Sequence, residues 1–254
     1  MSNPQPLLNK TALITGGSRG IGAAVSLHLA SLGAKIVVNY SSNSRAADAL
    51  VSQIGADKAV AIQADAGNLQ DVERLVQETI SWEHGNGKID ILIPNAAIGL
   101  LTCTLDKTSE EDYDRSMTLN VKGPYFLCQK ATPHMPAGSS IILVSTSLTG
   151  STQVTPNYLL YLTTKGAVEQ MTRVLAKDLG RKGITVNAIG PGPTATDMFF
   201  EGKSEELVKT IASWNPFGRL GTPEEIARAM AWLAGPESTW VNGQIIKVNG
   251  GMVV

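Results

Sequence analysis

A single α/β domain, built as a doubly wound parallel sheet of about seven strands with helices on both faces, is the fold class this sequence predicts. Three observations predict it. Short β-branched runs bounded by Gly or Asp recur along all 254 residues. Stretches with helical period separate them, and a glycine-rich turn follows the first run directly. Strand, helix, strand in repetition implies right-handed crossovers and a parallel sheet.

The strand runs, in order, are Thr11 to Thr15, Lys35 to Asn39, Ala59 to Ile62, Ile89 to Ile93, Ile141 to Val144, Ile184 to Ile189 and Ile245 to Val248. Their nearly continuous apolar character suits strands covered on both faces. Between them, Val72, Leu75, Val76, Thr79 and Ile80 follow the polar Asn68 at helical spacing, as Val168, Met171, Leu175 and Leu179 follow Tyr161. Seven strands and about six crossover helices fill the length. No Pro/Gly/Ser-rich linker interrupts them, so residues 1-254 read as one domain.

Composition removes several function classes. The 21 basic and 22 acidic residues leave a formal net charge of -1 without a run of like charge, so neither nucleic acid nor anionic membrane is an expected partner. No stretch approaches 18 apolar residues, and the polar segment Met1 to Lys10 has no leader character. Cys103 and Cys128 form no CxxC, which fits a reducing, cytoplasmic setting. His28, His84 and His134 lie far apart, outside any metal-ligand spacing, and no metal is expected.

The turn after the first strand reads Thr15-Gly16-Gly17-Ser18-Arg19-Gly20-Ile21-Gly22 and opens a helix. Glycines let backbone N–H groups approach a pyrophosphate, and the helix N-terminus adds partial positive charge. A turn needed only for tight helix packing is the bland alternative; the position at the head of a βαβ unit favours dinucleotide binding of the Rossmann type. The second strand ends Asn39-Tyr40-Ser41-Ser42-Asn43, without the Asp or Glu that holds a ribose 2′-hydroxyl in NAD sites. A 2′-phosphate meets no repulsion there, and Arg19 with Ser41 or Ser42 offers it donors, so the expected cofactor is NADPH. Arg19 as an ordinary solvated turn residue is the alternative.

In Asn157-Tyr158-Leu159-Leu160-Tyr161-Leu162-Thr163-Thr164-Lys165, only Tyr161 has a lysine at i+4. On a helix the two share a face. An ammonium beside a phenol lowers the phenol's pKa, as a proton donor near neutral pH requires. The pair alone is common by chance. Just before it, Ile141 to Val144 runs into Ser145-Thr146-Ser147-Leu148-Thr149-Gly150, placing hydroxyls at the sheet's C-terminal edge, where open α/β sheets bind ligands.

With the glycine turn, the Asn95-Ala96 loop after the fourth strand, Asn120, the serine strand end, Tyr161 with Lys165, and Pro191-Gly192 before Thr196 in this order, the chain resembles the short-chain dehydrogenase/reductase family. It is closest to beta-ketoacyl-acyl-carrier-protein reductases and related carbonyl reductases. The resemblance implies that Tyr161 protonates a carbonyl oxygen as hydride arrives, that Lys165 tunes Tyr161 and holds the nicotinamide ribose, and that a serine polarises the carbonyl. It implies that Asn120 anchors a proton-relay water. Asp65 and Ala66 would flank the adenine, with Asn95 and Ala96 beside it along the cofactor. Thr196 and the backbone near Ile189 would bind the nicotinamide carboxamide, with Pro191, Gly192 and Thr194 also at the cofactor. Plainer readings remain: Asn120 as a bend in a helix, Thr196 as a helix cap, Pro191-Gly192 as a turn.

Two departures stand out. Pro94-Asn95-Ala96-Ala97 replaces the family's Asn-Asn-Ala-Gly, implying a stiffer loop with cofactor binding intact. The serine usually precedes the tyrosine by thirteen residues, where Leu148 stands, so Ser147 is the assigned residue and Ser145 the alternative.

Residues 193-214, with Phe199-Phe200 and an amphipathic Glu205 to Ile211, look like the family's substrate lid. Phe199, Phe200, Ile98, Leu100, Leu148 and Met198 suggest an apolar pocket. The segment Val241 to Met252 matches one that packs across subunits, implying a homotetramer or homodimer. The function expected is reversible NADPH-dependent reduction of a ketone or aldehyde, small molecule or beta-ketoacyl thioester. The competing class is a dinucleotide-sensing protein without chemistry; a nucleotide-sugar epimerase or dehydratase would need a longer substrate domain.

Overall fold

The computed structural model describes residues 5–101 and 103–254; Met1 to Pro4 of the polar N-terminal stretch lie outside the described residues. All seven expected strands form: β1 (Thr11–Ile14), β2 (Lys35–Tyr40), β3 (Ala59–Gln63), β4 (Ile91–Ile93), β5 (Ser140–Val144), β6 (Thr185–Pro191) and β7 (Ile245–Val248). They make one parallel sheet in the order β3-β2-β1-β4-β5-β6-β7, with Leu13 opposite both Val37 and Leu92, and Val144 opposite Ile189.

Each of the six crossovers carries helix. They are α1 (Gly20–Ser31), α2 (Ser44–Ile54), α3 (Leu69–Ser81), then α4 (Glu110–Met117) with α5 (Gly123–Ala131), α6 (Leu159–Gly180), and finally α7 (Asp197–Phe200), α8 (Glu205–Ser213) and α9 (Pro223–Ala234). The last crossover needs three helices because the stretch expected as a lid lies within it.

Alternation along the strands divides the core between the two faces. Ile14, Val38, Ile93, Ile142 and Ile189 pack under Val25, Leu29, Ile226 and Met230 of α1 and α9. Leu13, Val37, Leu92, Ile141 and Leu143 pack under Leu75, Leu127, Val168 and Leu179 of α3, α5 and α6. Local capping agrees with the pattern: Asn68 accepts from the amides of Gln70 and Asp71 at the start of α3, and Thr222 with Glu225 forms a capping box on α9.

Chain order reverses between β1 and β4, which are neighbours although α1 leaves to one side and the β4 crossover to the other. That divergence opens a crevice beyond the strands' carboxyl ends. Between α4 and α5 the chain passes through one π-helical turn, Thr118–Lys122, which contains Asn120. Gly123 follows; a Cβ there would stand 2.2 Å from the Ala66 carbonyl oxygen, so this helix presses directly on the loop after β3.

Leu92 is fully buried at the centre of the sheet. Leu92→Ala should therefore cost about 2–5 kcal/mol of stability, read from the midpoint of denaturant unfolding; a change under about 0.5 kcal/mol would mean the two layers are not packed as described.

Candidate active site

The crevice is built from the ends of β1, β2 and β4, and buried side chains lace these ends together. The Thr15 hydroxyl accepts from the amides of Asn95 (3.0 Å) and Ala96 (3.1 Å). The Asn95 amide group donates back to the carbonyls of Thr15 (2.9 Å) and Gly16 (3.1 Å). Asn39, buried on β2, accepts from the Gly16 amide at 3.3 Å and donates to the carbonyls of Ile62 and Ala64. Its side chain thus serves the loops, which leaves Tyr40, Ser41 and Ser42 as the side chains β2 turns toward the crevice.

The glycine turn is sterically required. Gly16 and Gly20 adopt φ of 59° and 53°, and a Cβ on Gly22 would lie 2.2 Å from the Gly16 carbonyl oxygen. Helices α2, α3, α4, α8 and α9 begin under Asn, Ser or Thr side chains. Helix α1 begins at Arg19 with no side-chain cap and no acidic residue in its first turn. Its first amides are left for an anionic ligand. A pyrophosphate fits this cradle, and the exposed Arg19 stands at its mouth.

A cavity of about 1190 Å³ runs from that cradle across the carboxyl edge of the sheet. Its walls hold Gly16, Ser18, Arg19, Gly20, Ile21, Gly22, Asn39, Tyr40, Ser41, Ser42, Asp65, Ala66, Asn95 and Ala96 at one end. Ser147, Tyr161, Lys165, Pro191, Gly192, Thr194 and Thr196 stand at the other. Asp65 uses one carboxylate oxygen to accept from the Gly67 amide at 2.9 Å. Thr196 caps α7 by accepting from Phe199 N, and its methyl lies where a side chain on Gly20 would project. It is both the cap and a wall of the cavity.

Asn120 lies beside the loop after β4 and α6. It is buried one layer behind the wall, with both amide hydrogens used on the Ile98 carbonyl (2.8 Å) and the Thr164 hydroxyl (3.2 Å), while its oxygen accepts from Ile98 N (2.9 Å). The side chain ties the loop after β4 to α6. Leu100 and Phe200 are absent from the wall; of α7, Asp197, Met198 and Phe199 line the cavity and Phe200, the last residue of the helix, does not. Tyr158, Leu101, Trp214 and Met252 take their place.

Helix α6 brings Tyr161 and Lys165 to one face. The Lys165 ammonium is buried and donates to the Val144 carbonyl at 2.8 Å, 5.7 Å from the centre of the Tyr161 ring. Burial pulls Lys165 down to about 8 and pushes the Tyr161 phenol up to about 12. The sequence expectation was a lowered phenol; here desolvation outweighs the lysine, which is turned to the strand end. A hydrogen bond with the Thr146 side chain opposes that rise, and Tyr158 reinforces it. In this state the phenol is neutral and holds its proton.

The serine segment turns after β5 into one 3-10 turn, Ser147–Gly150. The Ser147 hydroxyl, fully buried, donates to the Gly190 carbonyl at 2.7 Å; Ser145 donates to Glu169 at 3.0 Å. The hydroxyl set against Tyr161 belongs to Thr146. Sequence reasoning passed over it, as over Thr15 and Glu169, because in an extended segment of three hydroxyl residues only the strand's twist decides which one faces the helix.

This geometry has relatives. A family model described as enoyl-(acyl carrier protein) reductase matches residues 16–253. The chain belongs to the short-chain dehydrogenase/reductase family. It is an oxidoreductase of that family. A hydroxynaphthalene reductase-like protein of Metarhizium guizhouense is 41% identical, covering 98% of this chain and 97% of its own length. An NADPH-dependent aldehyde reductase-like, chloroplastic protein of Arabidopsis thaliana is 40% identical over 98% of this chain and 96% of its own. Among solved structures, a short-chain dehydrogenase of Burkholderia cenocepacia in complex with NADP superposes with a TM-score of 0.90, at 33% identity, covering 97% of this chain and 99% of that one.

The Gly22 contact makes a sharp test. Gly22→Ala should abolish NADPH binding, followed by nicotinamide fluorescence, while the protein still folds by circular dichroism; unchanged affinity would remove the turn from the cofactor site.

Proposed function

We propose that this short-chain reductase converts the carbonyl of a compact, ring-bearing ketone or aldehyde to an alcohol, with Tyr161 as the proton donor. The reaction is carbonyl reduction with NADPH. The carrying observation is a neutral, half-buried phenol at one end of a continuous cavity whose other end is an uncapped helix N-terminus.

The residues act as follows. The amides of the glycine turn and Arg19 hold the cofactor's phosphates, with Ser41 and Ser42 offering donors where NAD-specific sites carry a carboxylate. The cofactor supplies the hydride. Tyr161 gives its Oη proton to the carbonyl oxygen as charge develops there, and the Lys165 ammonium stabilises the phenolate left behind. The Thr146 hydroxyl and that of Ser147, once it turns from the Gly190 carbonyl, hold the carbonyl oxygen, and Asn120 fixes the Ile98 loop against α6. Tyr158, Phe199 and Trp214, with Met198 and Met252, make a wall suited to a planar ring; this supports an aromatic or fused-ring substrate of the kind named in the hydroxynaphthalene reductase-like relatives.

Residues 193-214, carrying α7 and α8, form the lid that closes over it. Residues 1-254 act as one domain. Assembly as a homodimer or homotetramer through Val241 to Met252 is supported by the outer edge of β7 and by Trp240, which is 99% exposed. Among the described residues no helix is long and apolar enough to cross a membrane. A cytoplasmic setting rests on composition.

Purified protein should oxidise NADPH, seen as loss of nicotinamide absorbance, with fused-ring or aryl ketones ahead of short aliphatic ones. Tyr161→Phe should remove turnover while leaving NADPH affinity within about twofold; retained turnover would overturn the assignment. The pH profile has a definite sign. The phenol stays protonated below about 12, so reduction keeps its donor, but it should decline as pH rises through about 8 and Lys165 loses its charge. Alcohol oxidation needs the phenolate and should climb only as pH approaches about 12. Ser147→Ala should lower kcat by roughly 10²–10³-fold, the range for losing one oxyanion donor; a smaller loss than for Thr146→Val would transfer the role to Thr146.

A further inference from the structure

Beyond the groups that touch substrate, we propose that Glu169 is a positioning residue: from the helix that carries the proton donor, it sets the distance between that donor and the hydroxyl segment that receives the carbonyl. The inference rests on the carbonyl-reductase reading above.

Three side chains of α6 repeat at four-residue spacing: Tyr161, Lys165 and Glu169. They share one face of the helix, and each reaches the segment that follows β5. Tyr161 meets Thr146, and Lys165 binds the Val144 carbonyl. Glu169 closes the set with one oxygen, Oε1, which accepts from the Ser145 hydroxyl at 3.0 Å and from the Thr149 hydroxyl. Those two residues bracket Thr146 and Ser147. The Thr149 hydroxyl also lies 2.8 Å from the Thr146 carbonyl, but its one hydrogen serves either that carbonyl or the carboxylate, so Glu169 holds the segment at its start and at its end.

The other oxygen, Oε2, accepts from Arg173 one turn further on, at 3.1 Å. Arg173 is half exposed, and the Glu169 side chain is only 14% exposed. The guanidinium aims the carboxylate at the segment, and a charged acceptor makes stronger hydrogen bonds than a neutral one. Among the described residues the Ser145 hydroxyl bonds Glu169, whereas that of Ser147 bonds the Gly190 carbonyl. The strand end is thereby held from both sides, Ser147 against β6 and Ser145 against α6.

A carboxylate is not needed to end a strand or fill this space. What it provides is a fixed reference: the hydroxyls that hold a carbonyl oxygen and the phenol that protonates it are tied to one rigid helix. Misplacement by about 1 Å costs on the order of 10²-fold in rate.

Kinetics of Glu169→Ala, Glu169→Gln and the double variant Ser145→Ala/Thr149→Val decide the matter, with wild type and an aryl ketone as reference. Glu169→Ala should lower kcat by roughly ten- to a hundredfold with NADPH affinity within about twofold of wild type. Glu169→Gln, which keeps an acceptor oxygen, should recover most of the loss. Ser145→Ala/Thr149→Val should reproduce the loss, and adding Glu169→Ala to it should lower kcat no further, because both remove the same contacts. A merely structural glutamate would lower Tm and the folded fraction but leave kcat per folded molecule near wild type. That result, full additivity, or a loss confined to NADPH affinity would overturn the inference. If Glu169→Ala does not fold, the glutamine and double variants carry the test alone. Absence of turnover in wild type would instead refute the reductase reading.

Discussion

The structure turns on one buried contact, the Lys165 ammonium on the Val144 carbonyl at 2.8 Å. Val144 is the last residue of β5, and its carbonyl faces the crevice side of the strand end, so the lysine fixes where α6 crosses the sheet. Taking an ammonium out of water is expensive. The cost is visible in the fall of its pKa to about 8, since burial works against the charge. From that anchor one helical turn back leads to Tyr161 and one turn forward to Glu169. The hydroxyl segment lies between them because it continues the strand that the lysine holds.

The opposite end of the cavity is governed by sterics more than by charge. Gly22 has no room for a side chain, and Gly16 and Gly20 occupy left-handed backbone conformations. Thr15 and Asn95 then use their side chains on each other's backbone while Asn39 binds the Gly16 amide and the Ile62 and Ala64 carbonyls, so the three loops are tied together. The two ends meet through Thr196, whose methyl faces the glycine turn while its hydroxyl starts α7. Any shift of α7 is therefore felt at the cradle.

Sequence revealed the sheet and both ends of the site with different clarity, for physical reasons. The central strands were legible because they are buried and read as apolar runs, and the edge strands β3 and β7, only partly buried, through their short apolar stretches between turn residues. The glycine turn was legible because its backbone admits few alternatives. The Tyr161 to Lys165 spacing gave a shared helical face but not the direction of the phenol's pKa, which depends on burial that no local pattern encodes. Asn120 was legible as a residue of the site but the π turn that carries it was not, since nothing at Thr118 to Lys122 announces one. Phe199 and Phe200 are adjacent, so one of them had to face outward, and the start of α7 decides which. Glu169 was invisible, since a glutamate on an amphipathic helix is ordinarily a solvated residue.

A phenol pushed up to about 12 beside a lysine drawn down to about 8 favours one direction of reaction. Alcohol oxidation begins by removing a proton, and a neutral phenol cannot accept one until it has lost its own. Carbonyl reduction begins with the proton already on the group that must deliver it, and the developing phenolate then meets an ammonium on the same helical face. Below about pH 8 that ammonium is present throughout, so the penalty that burial places on the phenolate is eased only as the proton leaves. An acid that is neutral at rest and stabilised as its conjugate base during transfer is complementary to the transition state of reduction rather than to its ground state.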